Sequence, residues 1–156
     1  MSGSNPRGGA EMDIPEYVTP EEVRRVCKGL GIRDWSRLKN PRVTQKEAKI
    51  ILSEVNTTGM KIPLEDFRVG LEVELEHGTR FPDANVTNNH PLLTGKIVLA
   101  HLKESMDYYR RLEVAEIESD LLKAVARKDS SKMELYYKKL LKARLELVQT
   151  EIKALR

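Results

Sequence analysis

The sequence predicts an all-α protein: a compact helical bundle of four to five helices with a long loop (78–93) and a C-terminal amphipathic helix. Apolar residues recur at the i, i+3 and i+4 spacing of helices in several separate segments. Residue types that begin or end helices stand between these segments. The alternation of apolar and polar residues that is typical of strands is not sustained over any useful length. Together these observations predict the fold class.

Two helix starts near the N-terminal end are indicated by capping sequences. Thr19-Pro20-Glu21-Glu22 combines a side-chain acceptor, a glutamate three residues later, and a proline where a missing N–H costs nothing. Thr44-Gln45-Lys46-Glu47 repeats the Thr-x-x-Glu spacing. The first helix is expected to end at Gly29 and Gly31. Trp35, between the two helices, is expected to fill the core.

The third and fourth helices are predicted from longer periodic segments. The third begins near Pro63 and ends at Gly78, since glycine commonly terminates helices. Residues 78–93 contain Gly, Pro, Asp and Asn without a periodic apolar pattern, which predicts a long loop. The fourth helix is predicted to begin at Thr94 and to continue to about Arg127, because no helix-breaking residue interrupts it.

The C-terminal segment after Asp129 carries a stripe of apolar residues at approximate heptad spacing. Its members are Met133, Tyr137, Leu140, Leu141, Leu145, Val148, Ile152 and Leu155. Such a helix needs a partner, and we expect either an antiparallel hairpin with the fourth helix or pairing with a second copy. The predicted organisation is a disordered tail (1–15), a helical domain (16–118) and a basic helical extension (119–156).

Composition and charge exclude several classes of protein. The hydrophobic fraction of 40% is too high for a wholly disordered chain, and no apolar run is long enough for a membrane span. The single cysteine, Cys27, excludes an internal disulfide framework and is expected to be buried and reduced. The first residues lack an apolar export segment, which predicts a cytoplasmic protein. Residues 119–156 contain ten Lys or Arg but five Asp or Glu, so the basic charge is concentrated there.

Two Glu/His pairs form the candidate chemical site. Glu74 and His77 are three residues apart on the third helix, and His101 and Glu104 have the same spacing on the fourth. Residues at i and i+3 share a helix face, so two such pairs on facing helices would bring two imidazoles and two carboxylates together. This ligand set suits a transition metal such as zinc, iron or manganese.

Glu72 and Tyr108 are expected to orient the metal ligands from a second shell. The same Glu/His residues also have a purely structural interpretation. His77 lies near the end of its helix, where the helix dipole favours an imidazolium, and His101 can hydrogen-bond Tyr108 or Glu104 in a polar core contact. The third histidine, His90, is expected at the surface of the long loop.

Three functions are compatible with these features. The favoured one is a non-catalytic interaction or structural module in which residues 130–156 mediate self-association or protein binding, because no complete catalytic constellation is present. The alternative is a transition-metal-binding protein. The third is a nucleic-acid-binding accessory protein with basic contacts at Lys138, Lys139, Lys142 and Arg144, although the interspersed glutamates and the lack of stacking aromatics argue against it.

Several short sequence motifs resemble those of a known family. The motifs are Glu74-Leu-Glu-His-Gly78, Asn85-Val-Thr87, and Ala100-His-Leu-Lys-Glu104 followed by Asp107-Tyr-Tyr109. The chain is similar over about residues 20–118 to a small family of uncharacterised proteins from bacteria and their phages. The resemblance implies that the two Glu/His motifs and Tyr108 occur together, but it implies no activity. Asn88-Asn89-His90 and the basic helix beyond Glu118 depart from the family pattern.

Overall fold

The computed structural model describes residues 15–156 and confirms the all-α class. Over this range the chain forms six α-helices and no β-strand. They are α1 (Pro20–Leu30), α2 (Gln45–Val55), α3 (Leu64–Arg80), α4 (Pro91–Glu104), α5 (Tyr108–Ala126) and α6 (Ser130–Ala154). Short 3-10 turns occupy Trp35–Arg37 and Pro82–Ala84. Residues 1–14 of the predicted tail (1–15) lie outside the described residues.

The caps predicted for the first two helices are confirmed. Thr19 Oγ1 accepts the backbone N–H of Glu22 at 3.2 Å. Thr44 and Glu47 cap each other reciprocally: Thr44 Oγ1 accepts from the Glu47 amide at 3.2 Å, and Glu47 Oε2 accepts from the Thr44 amide at 2.9 Å. Gly31 ends α1 in the left-handed conformation with φ of 66°, which glycine adopts without strain.

The buried carboxylate of Glu47 joins α2 to the connection that follows α1. Trp35 and Cys27 are both buried, and the Trp35 amide donates to Cys27 Sγ at 3.4 Å. Trp35 Nε1 donates to Glu47 Oε1 at 3.3 Å. Arg33 binds the same carboxylate through Nε at 2.9 Å and Nη2 at 2.8 Å. The predicted burial of Cys27 and Trp35 is confirmed, and burial raises the pKa of the Cys27 thiol.

Three helices, α2, α3 and α4, pack against one another around the core, and α5 lies against α3 and α4. Glycines allow the closest approaches. A Cβ at Gly95 of α4 would lie 2.6 Å from Ile51 Cγ2 of α2, and one at Gly70 of α3 would lie 2.6 Å from the Tyr109 ring of α5. The largest fully buried side chains include Trp35, Phe67, Ile51, Leu71, Leu75 and Leu102.

The loop between α3 and α4 is shorter than predicted. Helix α3 passes through Gly78 and ends at Arg80, and α4 begins at Pro91, so residues 81–90 connect them. Gly78 does not end the helix; it makes room for the loop, because a Cβ there would lie 2.9 Å from Asn85 Cγ. The asparagine-rich loop therefore folds back onto α3.

His90 is buried, contrary to the prediction of a surface position. Its side chain is the N-cap of α4, and Nδ1 accepts the backbone N–H groups of Leu92 at 3.2 Å and Leu93 at 3.4 Å. An imidazole can fill this role only while Nδ1 carries a lone pair. Histidine therefore caps α4 where the sequence gives no Ser, Thr, Asp or Asn signal at that position.

The predicted single helix from Thr94 to about Arg127 is wrong, because the chain turns between α4 and α5. Ser105 adopts an extended conformation with φ of −156° and ψ of 130°, which ends α4. The Ser105 hydroxyl and the Arg111 guanidinium both bind the Asp107 carboxylate, the guanidinium through Nη2 at 2.7 Å. These side chains hold the turn, which brings α5 across α3.

Helices α5 and α6 form an antiparallel hairpin. Lys128 occupies the left-handed region in the connection with φ of 55°. Arg111 pairs with Glu151 at 3.0 Å, and Arg144 pairs with Glu118 at 2.6 Å. From residue 111 to 118 along α5, the partner residue on α6 therefore changes from 151 to 144, as expected for antiparallel helices. None of the helices formed by residues 15–156 is long and apolar enough to span a membrane.

Candidate functional site

Glu74 is the centre of a polar cluster formed by residues of the two Glu/His pairs and by Tyr109. Its side chain is 13% exposed on α3. Oε1 accepts the hydroxyl hydrogen of Tyr109 at 2.8 Å and lies 3.1 Å from His101 Nδ1. Three helices meet here, because Gly70, one turn before Glu74, lets the Tyr109 ring of α5 approach α3 closely. The predicted meeting of Glu74 and His101 is therefore present.

The hydrogen positions in this cluster follow from its acceptors. His101 Nδ1 lies 3.1 Å from Glu74 Oε1 and also 3.1 Å from Tyr109 Oη. A carboxylate oxygen only accepts, so the His101–Glu74 contact is a hydrogen bond in the tautomer that carries its hydrogen on Nδ1. Burial, followed by the neighbouring Glu74 charge, raises the pKa of Tyr109 far above its ordinary value. The phenol therefore stays protonated and serves as a hydrogen-bond donor.

Tyr109, which the sequence reasoning missed, makes the contact that was assigned to its neighbour. Tyr108 does contact His101, but as a parallel stack with 4.1 Å between ring centroids and 9° between planes. Tyr109 is 7% exposed, and it is the Tyr109 hydroxyl that lies 3.1 Å from His101 Nδ1 while it donates to Glu74 Oε1. The available signal was Gly70, four residues before Glu74, where a missing side chain on a helix face leaves room for an aromatic ring.

The other two predicted metal ligands stand further from this centre. His77 Nδ1 lies 3.9 Å from Glu74 Oε2, and its side chain is 63% exposed. Glu104 is exposed at the last residue of α4. Among residues 15–156, no three His, Cys, Asp or Glu side chains are grouped so that they could hold a metal ion. The described geometry thus brings Glu74 within hydrogen-bond distance of only one other predicted ligand, His101, and does not assemble the four predicted ligands.

Glu72 is not part of this cluster, which corrects its predicted second-shell role. Its Oε1 accepts the Val43 amide at 3.0 Å and the Arg68 guanidinium at 2.6 Å. Residues 72 and 74 are two apart, so on a helix they point in different directions. Glu72 instead links α3 to the segment that precedes α2.

A small cleft opens beside Glu74 and His77. The loop residues Asn85, Thr87 and Asn89 line its other wall. Asn85 Nδ2 donates to Asn89 Oδ1 at 3.2 Å and lies 3.4 Å from the Gly78 carbonyl oxygen, which holds the loop over α3. The cleft has a volume of about 130 Å³, well below the range of roughly 300–1,000 Å³ for sites of drug-sized ligands.

Helix α6 has two apolar faces, which the sequence had shown as one stripe. We define the inner seam as Met133, Tyr136, Leu140, Ala143 and Leu147, whose central members Leu140 and Ala143 are buried in the hairpin with α5. We define the outer stripe as Leu141, Leu145, Val148, Ile152 and Leu155, which are between 47% and 88% exposed. The two faces are roughly a third of a turn apart around the helix.

The four basic residues proposed to contact nucleic acid all have local partners. Lys138 pairs with Glu134 at 2.5 Å, Arg144 with Glu118 at 2.6 Å, and Lys142 with Glu146 at 4.0 Å. Lys139 lies over the Tyr136 ring, 5.7 Å from its centroid. Paired charges of mixed sign give a weaker positive field than the number of lysines suggests.

Comparison with known proteins places the chain in a family. No curated protein and no solved structure matches it. Residues 23–118 match the model of a family described as protein of unknown function (DUF5661), from the first turns of α1 to the middle of α5. Since this match covers more than half of the 156 residues, the chain belongs to the DUF5661 family.

Proposed function

We propose that the protein is a non-catalytic helical interaction module that self-associates through the outer stripe of α6. The observation that carries the proposal is the exposure of this stripe on a helix whose other apolar face already packs against α5. Leu145 is 58% exposed, Leu141 50%, and both Val148 and Ile152 47%. Contiguous exposed apolar surface of this kind marks interaction sites in soluble proteins.

The spacing of the outer stripe is that of a coiled-coil seam. From Leu141 to Leu155 the intervals alternate between four and three residues, as positions d and a of a heptad do. Leucine and isoleucine at these positions pack as knobs into the holes of a facing helix. An apolar face at this spacing on another helix is therefore the matching partner surface.

Charge favours a second copy of this chain, packed antiparallel, as that partner. Arg144 and Glu151 flank the stripe on either side of its midpoint near Val148. A two-fold axis at that midpoint would place Arg144 beside the partner's Glu151, whereas parallel packing would place Arg144 opposite the uncharged Gln149. Each residue already pairs within the hairpin, with Glu118 and Arg111 respectively, so the interface would extend two existing ion pairs.

The metal-binding and nucleic-acid-binding alternatives have less support. A metal ion shared by Glu74 Oε1 and His101 Nδ1 would have to displace the Nδ1 hydrogen and the Tyr109 hydrogen bond. The basic residues of α6 are largely occupied by glutamates of the same hairpin. Both alternatives need rearrangement of contacts, whereas docking on the outer stripe needs none.

The test is the oligomeric state of the full chain, measured by sedimentation equilibrium over a concentration series. We expect a monomer–dimer equilibrium, and Leu145→Gln should weaken it at least about tenfold, because each copy loses a buried leucine side chain. Leu135→Gln is the matched control: Leu135 is on the same helix, is 48% exposed, and lies outside the outer stripe.

Two results would contradict the proposal. The first is a chain that remains monomeric at the highest concentration reached. The second is a dimer that Leu135→Gln and Leu145→Gln weaken equally. Circular dichroism of each variant checks that α6 is still helical, since both substitutions are at exposed positions and should leave the fold intact.

A further inference from the structure

The cleft between α3 and the Asn85–Asn89 loop carries an inference that is independent of the proposed self-association. Glu74 and His77 stand on the α3 side, and Asn85, Thr87 and Asn89 on the loop side. Polar groups from separate elements that converge on one concave site are typical of ligand-binding sites. The volume of about 130 Å³ restricts the ligand to a small chemical group.

The charge of the cleft comes from one carboxylate. Glu74 Oε1 is occupied by Tyr109 and His101. The other oxygen, Oε2, has His77 Nδ1 at 3.9 Å, which exceeds hydrogen-bond distance. A carboxylate that is only 13% exposed and retains a free oxygen is stabilised by any donor that reaches it.

The other groups around the cleft favour a cationic donor. Of the described residues that line it, none is lysine or arginine, and the one basic group is the His77 imidazole, whose Nδ1 lies 3.9 Å from Glu74 Oε2. Asn89 Oδ1 and Asn85 Oδ1 already accept from Asn85 Nδ2 and the Thr87 hydroxyl, but each keeps a second lone pair, and Thr87 Oγ1 is a further acceptor. At the mouth, Val86 is 84% and Ile97 38% exposed, which offers apolar contact to a short hydrocarbon chain.

We infer that this cleft binds the primary ammonium group of a short aliphatic amine, with Glu74 Oε2 as the main acceptor. An ammonium group has three N–H donors and no acceptor, which matches an acceptor-rich site. Transition-metal sites use three or more His, Cys, Asp or Glu ligands, and the described residues offer only two at this cleft. The chemistry therefore favours an ammonium group over a metal ion.

The experiment is an NMR titration of the ¹⁵N-labelled full chain with ethylammonium chloride, at constant chloride concentration and neutral pH. We expect saturable shifts confined to amides of the Asn85–Asn89 loop and the end of α3. Tetramethylammonium chloride is the matched ligand control, because it has the same charge but no N–H donor. It should give no saturable shift at the same amides.

Two variants test which residues of the cleft contact the ammonium group. Glu74→Gln removes the charge and should lower the ethylammonium affinity at least about tenfold. Because this change also alters the contact with Tyr109, Thr87→Val provides a second variant that changes only the loop wall, with an expected loss of a few fold. Thr58→Val, at an exposed threonine after α2, is its control and should bind as the parent does.

Four results would overturn the inference. One is the absence of saturable shifts with ethylammonium, and another is equal binding of tetramethylammonium. The third is stoichiometric Zn²⁺ binding at the same amides that excludes ethylammonium and is lost in His77→Ala, which would assign the cleft to a metal. If Glu74→Gln fails to fold, unchanged binding in Thr87→Val would likewise contradict the proposed site.

Discussion

Tyr109 donates its phenol hydrogen to Glu74 Oε1 across 2.8 Å and so fastens α5 to α3. The two residues are 35 positions apart in the chain, and both side chains are largely buried. His101 of α4 contacts both oxygen atoms, which makes this pair the point where three helices meet. The stability of the bundle should therefore depend on this hydrogen bond.

Tyr109→Phe should lower the free energy of unfolding by about 1–3 kcal/mol, because the buried Glu74 oxygen loses a donor while the ring is retained. Tyr108→Phe is the matched control: its ring stacks on His101, and no described residue hydrogen-bonds its hydroxyl, so the change should stay within about 0.5 kcal/mol. Urea unfolding monitored by circular dichroism measures both. Equal losses in the two variants would refute a specific role for the Tyr109 hydroxyl.

Glu47 should make stability fall in acid. Burial alone would raise the pKa of Glu47, but hydrogen bonds from Arg33, the Thr44 amide and Trp35 outweigh it and lower the pKa to about 2. The folded state therefore favours the carboxylate. Its contribution is fully present above the unfolded pKa near 4.5 and is lost as pH falls towards 2.

The expected size of this loss is about 2–3 kcal/mol of unfolding free energy over that window. Denaturant titrations at a series of pH values should show a shallower acid dependence in Glu47→Gln than in the parent. Glu54→Gln, at an exposed glutamate of the same helix, should retain the parent's slope. An unchanged slope in Glu47→Gln would show that other groups control acid unfolding.

Two glycine substitutions should have opposite effects. Gly78→Ala places a Cβ 2.9 Å from Asn85 Cγ and should cost about 1–3 kcal/mol, because the loop must shift. Gly29→Ala, in α1 with no atom within 4 Å of the new Cβ, should stabilise the protein by about 0.4–1 kcal/mol. Thermal unfolding of the two variants compares them directly, and a stabilising Gly78→Ala would contradict the packing described for the loop.

The His90 cap should make α4 sensitive to mildly acidic pH. Burial is the main cause that lowers the pKa of His90 from its ordinary 6.5, so the folded state favours the neutral imidazole that caps the helix. The contribution of the cap is present above pH 6.5 and decreases as pH falls below it.

His90→Ala should cost about 0.5–2 kcal/mol at pH 8, as the loss of other N-caps does. His90→Asn should keep most of the stability, because asparagine caps well, and it should lose the dependence on pH between 8 and 5. Stability curves for the parent and both variants provide the measurement. Identical pH dependence in the parent and His90→Asn would show that another group titrates.

The sequence predicts helix ends correctly where residues close in the chain form the cap. Thr19 and Thr44 cap α1 and α2 as the sequence predicts, because a cap involves only a few consecutive residues. The position of Glu74 and His77 on one face of α3 followed from helix periodicity alone. Its meeting with His101 also required α3 and α4 to face each other, which the sequence offered only as a hypothesis.

The features that were missed depend on contacts between distant segments. The break at Ser105 has no Pro or Gly signal; there the side chains of Asp107 and Arg111 hold a turn that places α5 on α3. The choice between Tyr108 and Tyr109 depends on the rotation of α5 about its axis, which the packing against Gly70 fixes. Similarly, the apolar residues of α6 separate into two faces only once α5 covers one of them.

Helix α5 continues without interruption from Tyr108 to Ala126, across residue 118 where the family match ends. Helix α6 packs back along α5 as far as the Arg111–Glu151 pair, so the hairpin begins just after the anchor at Tyr109. Each residue inserted between Tyr109 and Arg111 would turn the hairpin relative to the bundle by about 100° and move it by about 1.5 Å. Insertions of seven residues would restore the direction of the outer stripe to within about 20°, whereas single insertions would point it elsewhere. The number of residues between Tyr109 and the hairpin thus sets the direction in which this protein presents its exposed apolar face.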